Sequence, residues 1–342
     1  MKLYICNTYY HVLITVVKNL VNSEKSDLLL CNLIPNFDNL YVNLVSSGCF
    51  NKIIELDSRH IKHRDKGIYK NKYIELLSRK FLINSWIHKY CDVNFNNYSD
   101  IYIYQDVSEI GAYLLNNGIY HHLIEDALDY YQYFNDYYKL KQNTYNIKSI
   151  KFKLKRFTGL GHQGWGNSKY CIDVEVNSLK NLKHFNNKFF EVPRKRLFSA
   201  LTPVQKKLVF QIFAGGKIIS DNFENSVLLC TQPLFAAKHV PTMSMQLKVF
   251  EIIVKMFKDK GYHVVIKPHP RDEADYADII FKYKCTHIDK NIPSEVLNYN
   301  PEAQQYYAAI SVTSTSINFL DCAKEKIFMG MDFVERVMSG DK

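Results

Sequence analysis

"YHVVIKPHP", residues 262–270, reads as a buried strand that stops at a proline turn. Proline lacks the backbone N–H and fixes φ, so a sheet ladder does not run on through it. The stop leaves Lys267 and His269 on either side of Pro268. One reading is a rigid turn carrying two polar side chains. The other is a cation and a titratable imidazole held at a strand's carboxyl end, facing a phosphorylated ligand.

The flanking sequence places this strand in a repeating pattern. Ahead of it, "MSMQLKVFEIIVKMFKDKG" (243–261) sets Leu247, Phe250, Ile253, Val254 and Phe257 on one helical face, and Gly261 closes the helix. Before that helix, "SVLLCTQPL" (226–234) is a strand ending at a proline. Beyond the turn, "THIDK" (286–290) is a short strand and "SEVLNY" (294–299) a helix capped by Ser294. "YAAISVTSTS" (307–316) is a strand running into a turn, "INFLDCAKE" (317–325) a helix and "KIFMGMDF" (326–333) a final strand.

The first half alternates in the same way. "KLYICN" (2–7) precedes the helical "YYHVLITVVKNLVN" (9–22), for which Thr8 is the cap. "SDLLLCNLI" (26–34), "NKIIELD" (51–57), "DIYIYQD" (100–106) and "YHHLIED" (120–126) read as further strands. Strands alternating with helices imply parallel sheets covered on both faces. A chain of 342 residues suits two such units, 1–200 and 201–342. The stretch 127–200 is irregular and basic, and its "GLGHQGWG" (159–166) reads as a loop, not a dinucleotide fingerprint.

The net charge of +10 favours anionic partners: nucleic acid, a membrane surface or anionic small substrates. No recognised nucleic-acid motif appears, which argues against the first. Cations cluster at 60–72, 148–156 and 194–196. "KFKLKRF" (151–157) fits either a segment lying in anionic headgroups or an edge strand with a solvated lysine face. The eight cysteines include no C-x-x-C pair, so buried free thiols are expected and a zinc site is not. No run reaches the length of a membrane span. The expected location is the cytoplasm, with peripheral association at the inner face of the membrane.

In doubly wound sheets ligands bind outside the carboxyl ends of the strands. Four endings here carry chemistry: Glu125 and Asp126; Thr231 and Gln232; Lys267, His269 and Pro270; and Ser314, Thr315 and Ser316. Hydroxyls and amides at a helix start can hold phosphate, and Lys267 with His269 would add positive charge. A carboxyl of the 125–126 pair could take a proton from an acceptor hydroxyl. An imidazole can assist a departing phosphate near neutral pH. No D-x-D triplet occurs, which favours a reaction without a metal on the diphosphate and needs no cofactor beyond the donor.

With these residues in view, the sequence resembles the bacterial sialyltransferases of glycosyltransferase family 52 and, more distantly, the bacterial polysialyltransferases. The acid-acid-glycine, His-Pro and Ser-Ser/Thr motifs of those families look like Glu125-Asp126-Ala127, His269-Pro270 and Ser314-Thr315. "NIPSEVL" (291–297) is similar to their Pro-x-Glu segment, and "YICNTYYHVLI" to the opening strand and turn of family 52. The resemblance implies a GT-B fold, two Rossmann-like domains facing across a cleft. It also implies inverting transfer from CMP-sialic acid, without a metal, to a surface glycan of a capsule or lipooligosaccharide. By that likeness Glu125 would be the base, His269 the acid and Glu295 the ribose ligand. Ser314 and Thr315 would hold the phosphate, and Lys267 would line the nucleotide side. Ala127 stands where the motif has glycine, which leaves open whether Glu125 or Asp126 is the base. A homodimer is a further expectation. A UDP-sugar glycosyltransferase, or a glycerophosphotransferase with a CDP-glycerol donor, is the competing reading.

Overall fold

The computed structural model describes residues 1–31, 37–56, 72–127, 134–135, 164–180, 182–183, 185–215, 225–300 and 305–340. The segment "KFKLKRF" and the first part of the 159–166 glycine stretch lie outside these residues. The chain divides into two compact units, Met1–Thr202 and Pro203–Lys342.

The first unit is built on β1 (Lys2–Cys6), α1 (Tyr9–Asn22), β2 (Ser26–Cys31), α2 (Phe37–Ser47), β3 (Phe50–Leu56) and α3 (Lys72–Tyr90). It continues through β4 (Asp100–Ile103), α4 (Glu109–Asn116), β5 (His121–Ile124), β6 (Cys171–Val176), β7 (Phe189–Glu191) and α5 (Arg194–Ser199). The strands form one sheet in the order β3-β2-β1-β4-β5-β6-β7, every pairing parallel. Side chains alternate across it. Leu3 and Ile5 of β1, Ile101 and Ile103 of β4 and Leu123 of β5 join Ile83 and Ile87 of α3 in one core. On the other face Tyr4, Tyr102 and His122 stack at 4.6 Å centroid spacings, and Tyr104, just past β4, contacts Thr15 of α1.

The second unit comprises α6 (Pro203–Ala214), β8 (Ser226–Cys230), α7 (Met243–Lys258), β9 (His263–Lys267) and α8 (Ala277–Tyr283). After these come β10 (Thr286–His287), β11 (Tyr306–Ser311), β12 (Ala323–Phe328) and α9 (Met331–Ser339). Its sheet is parallel in the order β10-β9-β8-β11-β12. All five residues of β8 are buried, as a central parallel strand covered on both faces requires. Phe250, Ile253, Val254 and Phe257 of α7 are buried against this sheet, and Thr242 caps the helix by accepting from the Met245 N–H. Burying one such side chain is worth about 1.5–3 kcal/mol.

Both sheets therefore have the doubly wound order, with the order of strand addition reversing between β1 and β4 and between β8 and β11. Four expectations change. The stretch 127–200 is not irregular throughout, since β6, β7 and α5 lie within it. Ser294–Tyr299 is a 3-10 turn entered from Pro293 without a side-chain cap. Residues 317–325 do not make a helix: Thr315–Phe319 is a short 3-10 turn, and the chain then enters the edge strand β12. That strand ends at Phe328, and Met331–Ser339 is helical, where 326–333 reads as one strand in the sequence. An edge strand rich in Lys and Glu lacks the apolar alternation that marks a strand, which explains the last two.

Candidate active site

Each unit presents polar side chains where its strands end. In the first, Glu125 and Asp126 follow β5, and the structure sends them to different surroundings. Glu125 is 1 % exposed. Its carboxylate accepts from the Asn177 N–H at 2.9 Å and lies 3.5 Å from Arg194 Nε. Arg194, itself buried, donates to Glu175 at 2.5 Å, and Lys18 pairs with the same Glu175. Two cations and two carboxylates thus neutralise one another inside the fold, the condition for burying charge. Burial raises the Glu175 carboxyl, but Lys18 and Arg194 outweigh it and the net direction is down.

Asp126 is half-buried. Its Oδ1 accepts from His11 Nε2 at 2.8 Å and from Gln105 Nε2 at 2.7 Å. His11 arrives from the first turn of α1. Thr8 caps that helix by accepting from the His11 N–H at 3.2 Å, and the Asn7 N–H donates back to His11 Nδ1 at 3.1 Å. The reciprocal pair serves the same purpose as a capping box. Gln105 follows β4, and its Oε1 accepts from Asn7 Nδ2 at 3.3 Å, so an amide pair ties the two strand ends at the reversal. Nearby, Asp106 accepts from the Trp165 and Gly166 N–H groups at 2.7 and 2.9 Å, and burial pushes its carboxyl up to about 6. Gly166 has φ +76°, and a Cβ there would sit 2.3 Å from Val174 Cγ2, so the turn needs glycine.

In the second unit His269 is half-buried past β9. The Arg271 N–H donates to its Nδ1 at 3.1 Å, which puts the ring proton of the neutral form on Nε2. Among the described residues Nε2 has no hydrogen-bond partner. Burial, then Arg271 and Lys267, pull the imidazole down to about 4. The turn is held from beneath by Asp272, which is 1 % exposed. Its carboxylate accepts from Thr231 Oγ1 at 2.5 Å, Tyr276 OH at 2.7 Å and Gln246 Nε2 at 2.8 Å, and its N–H donates to the His269 carbonyl at 2.8 Å.

The other sequence-predicted residues divide into an open and a buried set. Thr231 is 2 % exposed and turned into the Asp272 network. Lys267 is likewise buried, donating to the Pro268 and Lys290 carbonyls at 2.9 and 3.0 Å, and burial lowers its ammonium to about 8. Glu295 lies within the charge field of Lys267, and burial raises its carboxyl. Pro270 is exposed; Gln232, Ser314 and Ser316 are half-buried, and the side chain of Thr315 lies outside the described residues. Gln232 spans the reversal: Oε1 accepts from Ser311 Oγ at 3.1 Å and the Thr313 N–H at 2.8 Å, and Nε2 donates to Thr313 Oγ1 at 3.1 Å. Ser314 and Ser316 share a hydroxyl contact at 2.8 Å, and Ser314 opens the 3-10 turn that includes Thr315.

This combination is a Rossmann pair with a carboxylate, an open imidazole and a hydroxyl turn at strand ends. The Glycosyltransferase family 52 model matches residues 60–330. The chain belongs to glycosyltransferase family 52. Its fold is similar to the GT-B domain of a sialyltransferase from Photobacterium damselae, at TM-score 0.50 and 14% identity, covering 96% of this chain and 90% of that one. The calicheamicin glycosyltransferase CalG4 superposes at TM-score 0.46 and 12% identity over 93% of this chain and 76% of that one. No curated protein matches in sequence. The family 52 chain is thus a glycosyltransferase of α/β GT-B architecture.

The sequence alone does not mark His11, Gln105, Asp272 and Arg194 as parts of a site. What it does show of His11 is its place: it stands three residues after the cap Thr8, directly behind β1.

Proposed function

We propose that this enzyme is an inverting sialyltransferase that moves sialic acid from CMP-sialic acid to a hydroxyl of a capsule or lipooligosaccharide glycan, with Asp126 as base. The observation that carries the base assignment is the contrast within the acidic pair. Glu125 is buried among Arg194, Glu175 and Lys18, while Asp126 is half-buried and oriented by two neutral donors. In the reaction the acceptor hydroxyl gives its proton to Asp126. The acceptor oxygen bonds to the anomeric carbon from the face opposite the phosphate. The carbon–oxygen bond to CMP breaks with its electron pair going to the phosphate oxygen.

His269 assists that departure. Its imidazole is neutral near pH 7, with the proton on Nε2, so it serves as a hydrogen-bond donor to the phosphate oxygen. A phosphate monoester has a second pKa of about 6, so this leaving group departs without full protonation. Thr313, Ser314 and Ser316 supply hydroxyls for the same phosphate, in place of a metal, on a turn that Gln232 holds. The metal-free reading rests on the lack of a D-x-D triplet in the sequence. The product glycans are built at the inner membrane face. Among the described residues no helix is long and apolar enough to cross a membrane, and the basic clusters at 60–72 and 148–156 in the sequence suit peripheral contact with anionic lipid.

The test is a donor panel of CMP-sialic acid, CDP-glycerol and UDP-sugars, each with and without EDTA. CMP release from CMP-sialic acid alone, unchanged by EDTA, is the expected result. Consumption of a UDP-sugar with CMP-sialic acid left intact ends the sialyl reading, and loss of turnover in EDTA ends the metal-free one.

A further inference from the structure

We infer that His11 and Gln105 are positioning residues that occupy Oδ1 of Asp126, leaving Oδ2 as the atom that takes the acceptor proton. The inference rests on the reading of Asp126 as base, and adds to it the atom that reacts and the groups that aim it.

His11 is held too tightly to be the base itself. It is 0 % exposed, and its ring lies parallel to Tyr104 at 4.2 Å with an interplanar angle of 6°. Tyr104 is fixed in turn by a 2.9 Å hydroxyl contact to Thr15. Nδ1 accepts from the Asn7 N–H, so the ring proton sits on Nε2 and points at Asp126 Oδ1, 2.8 Å away, with the Asp126 carbonyl 3.0 Å from the same nitrogen. Both ring nitrogens are therefore engaged, and the imidazole has no face left for an acceptor. Gln105 brings a second N–H to the same oxygen at 2.7 Å, its amide oriented by Asn7. Among the described residues Oδ2 accepts from no donor. A carboxylate with one oxygen doubly hydrogen-bonded is fixed in rotation, and charge-assisted bonds are the strong ones. The lone pairs of Oδ2 are left for the acceptor.

Asn7 links both arms, since its N–H fixes the histidine tautomer and its side-chain amide fixes the glutamine. The β1 end thus sets the geometry of a carboxylate that follows β5. During transfer the acceptor proton passes to Oδ2 while the acceptor oxygen closes on the anomeric carbon and the bond to phosphate breaks. His11 keeps its Nε2 proton throughout.

A double-mutant cycle separates positioning from mere support of the fold. The wild type, His11→Phe, Asp126→Asn and the double variant are compared in transfer turnover, using CMP-sialic acid or whichever donor of the panel the wild type consumes. His11→Phe keeps a ring over Tyr104 but removes the donor. It should lower kcat about 100-fold, the low end of what a general base contributes, and leave the donor KM near the wild-type value. In the Asp126→Asn background the same change should cost less than about threefold, because residues that act through one group are not additive. His11→Gln, which retains a terminal N–H, should recover about tenfold of the loss. Equal losses in both backgrounds, or wild-type kcat in His11→Phe, overturn the inference while leaving Asp126 as base. Wild-type turnover in Asp126→Asn alone overturns the base assignment itself. Should His11→Phe fail to fold, the cycle of Gln105→Leu with Asp126→Asn decides by the same criteria.

Discussion

His11 and His269 each follow a strand near the reversal of a doubly wound sheet, and each has Nδ1 occupied by a backbone N–H. For His11 the donor is Asn7, before it in the chain; for His269 it is Arg271, just after. The consequence is the same tautomer, with the proton on Nε2. The surroundings then divide them. His11 is fully buried and directs Nε2–H at a carboxylate of its own unit, whereas His269 is half-buried and its Nε2 meets no protein acceptor among the described residues. Backbone geometry decides which nitrogen carries the proton, and burial decides whether that proton is engaged inside the protein or left open. The amides repeat the parallel: Asn7 with Gln105 ties β1 to β4, and Gln232 ties β8 to β11.

The largest effect that can break this comparison lies at His269. On the proposed mechanism His269→Ala removes the donor to the departing phosphate, and kcat should fall by about 10³, within the range for positioned proton donors. The loss should appear both in transfer to the acceptor and in slow hydrolysis of the donor by water, since both break the same bond. His11→Phe should slow transfer far more than hydrolysis. If His269→Ala slows transfer and spares hydrolysis, the two histidines act on the same side of the reaction and the contrast is wrong.

A smaller effect is expected where an amide holds the hydroxyl turn. Gln232→Leu deletes the three bonds to Ser311 and Thr313 and should weaken CMP binding about tenfold, measured by calorimetry, with kcat little changed. Unaltered CMP affinity would show that the turn holds its shape without Gln232, or that the phosphate binds elsewhere.

How far the sequence reached follows the same division between local and distant partners. The strand endings at Asp126, His269 and Ser314 were legible because proline stops, acidic pairs and hydroxyl turns are local signals. Thr231 and Lys267 were legible as positions but not as roles. Their partners, Asp272 and the Lys290 carbonyl, lie 41 and 23 residues away and draw both side chains inward. His11 stands behind a legible cap, Thr8, but its role depends on Asp126, 115 residues distant. Strand β6, "CIDVEV", does not stand out in the sequence, since Asp173 and Glu175 have the look of surface charges; Glu175 is instead buried against Lys18 and Arg194. Periodicity reveals which face is apolar, but not which charge has a buried counter-ion.

The smallest effect concerns a third histidine, which sharpens the rule by reversing it. His122 of β5 presents Nδ1 not to a backbone donor but to Asp173 Oδ1 at 2.9 Å, and its Nε2 lies 3.4 Å from Asp100 Oδ1. Burial alone would lower its pKa, but the hydrogen bond and charge of Asp173, then Asp100, outweigh burial and raise it. A group whose folded value is raised adds stability that is fully present below its unfolded value of about 6.5 and fades as pH climbs through the folded value. His122→Gln should therefore melt below the wild type by about 2 °C at pH 5.5, with the gap narrowing by pH 8. His269 carries the opposite sign: its folded value, about 4, lies below the unfolded one, so its contribution is lost as pH falls from 6.5 toward 4. Melting curves of His122→Gln across that range read the first term alone. A gap that widens with rising pH would mean the two aspartates do not hold His122 as a cation, and that the partner of Nδ1 does not decide a histidine's protonation in this fold.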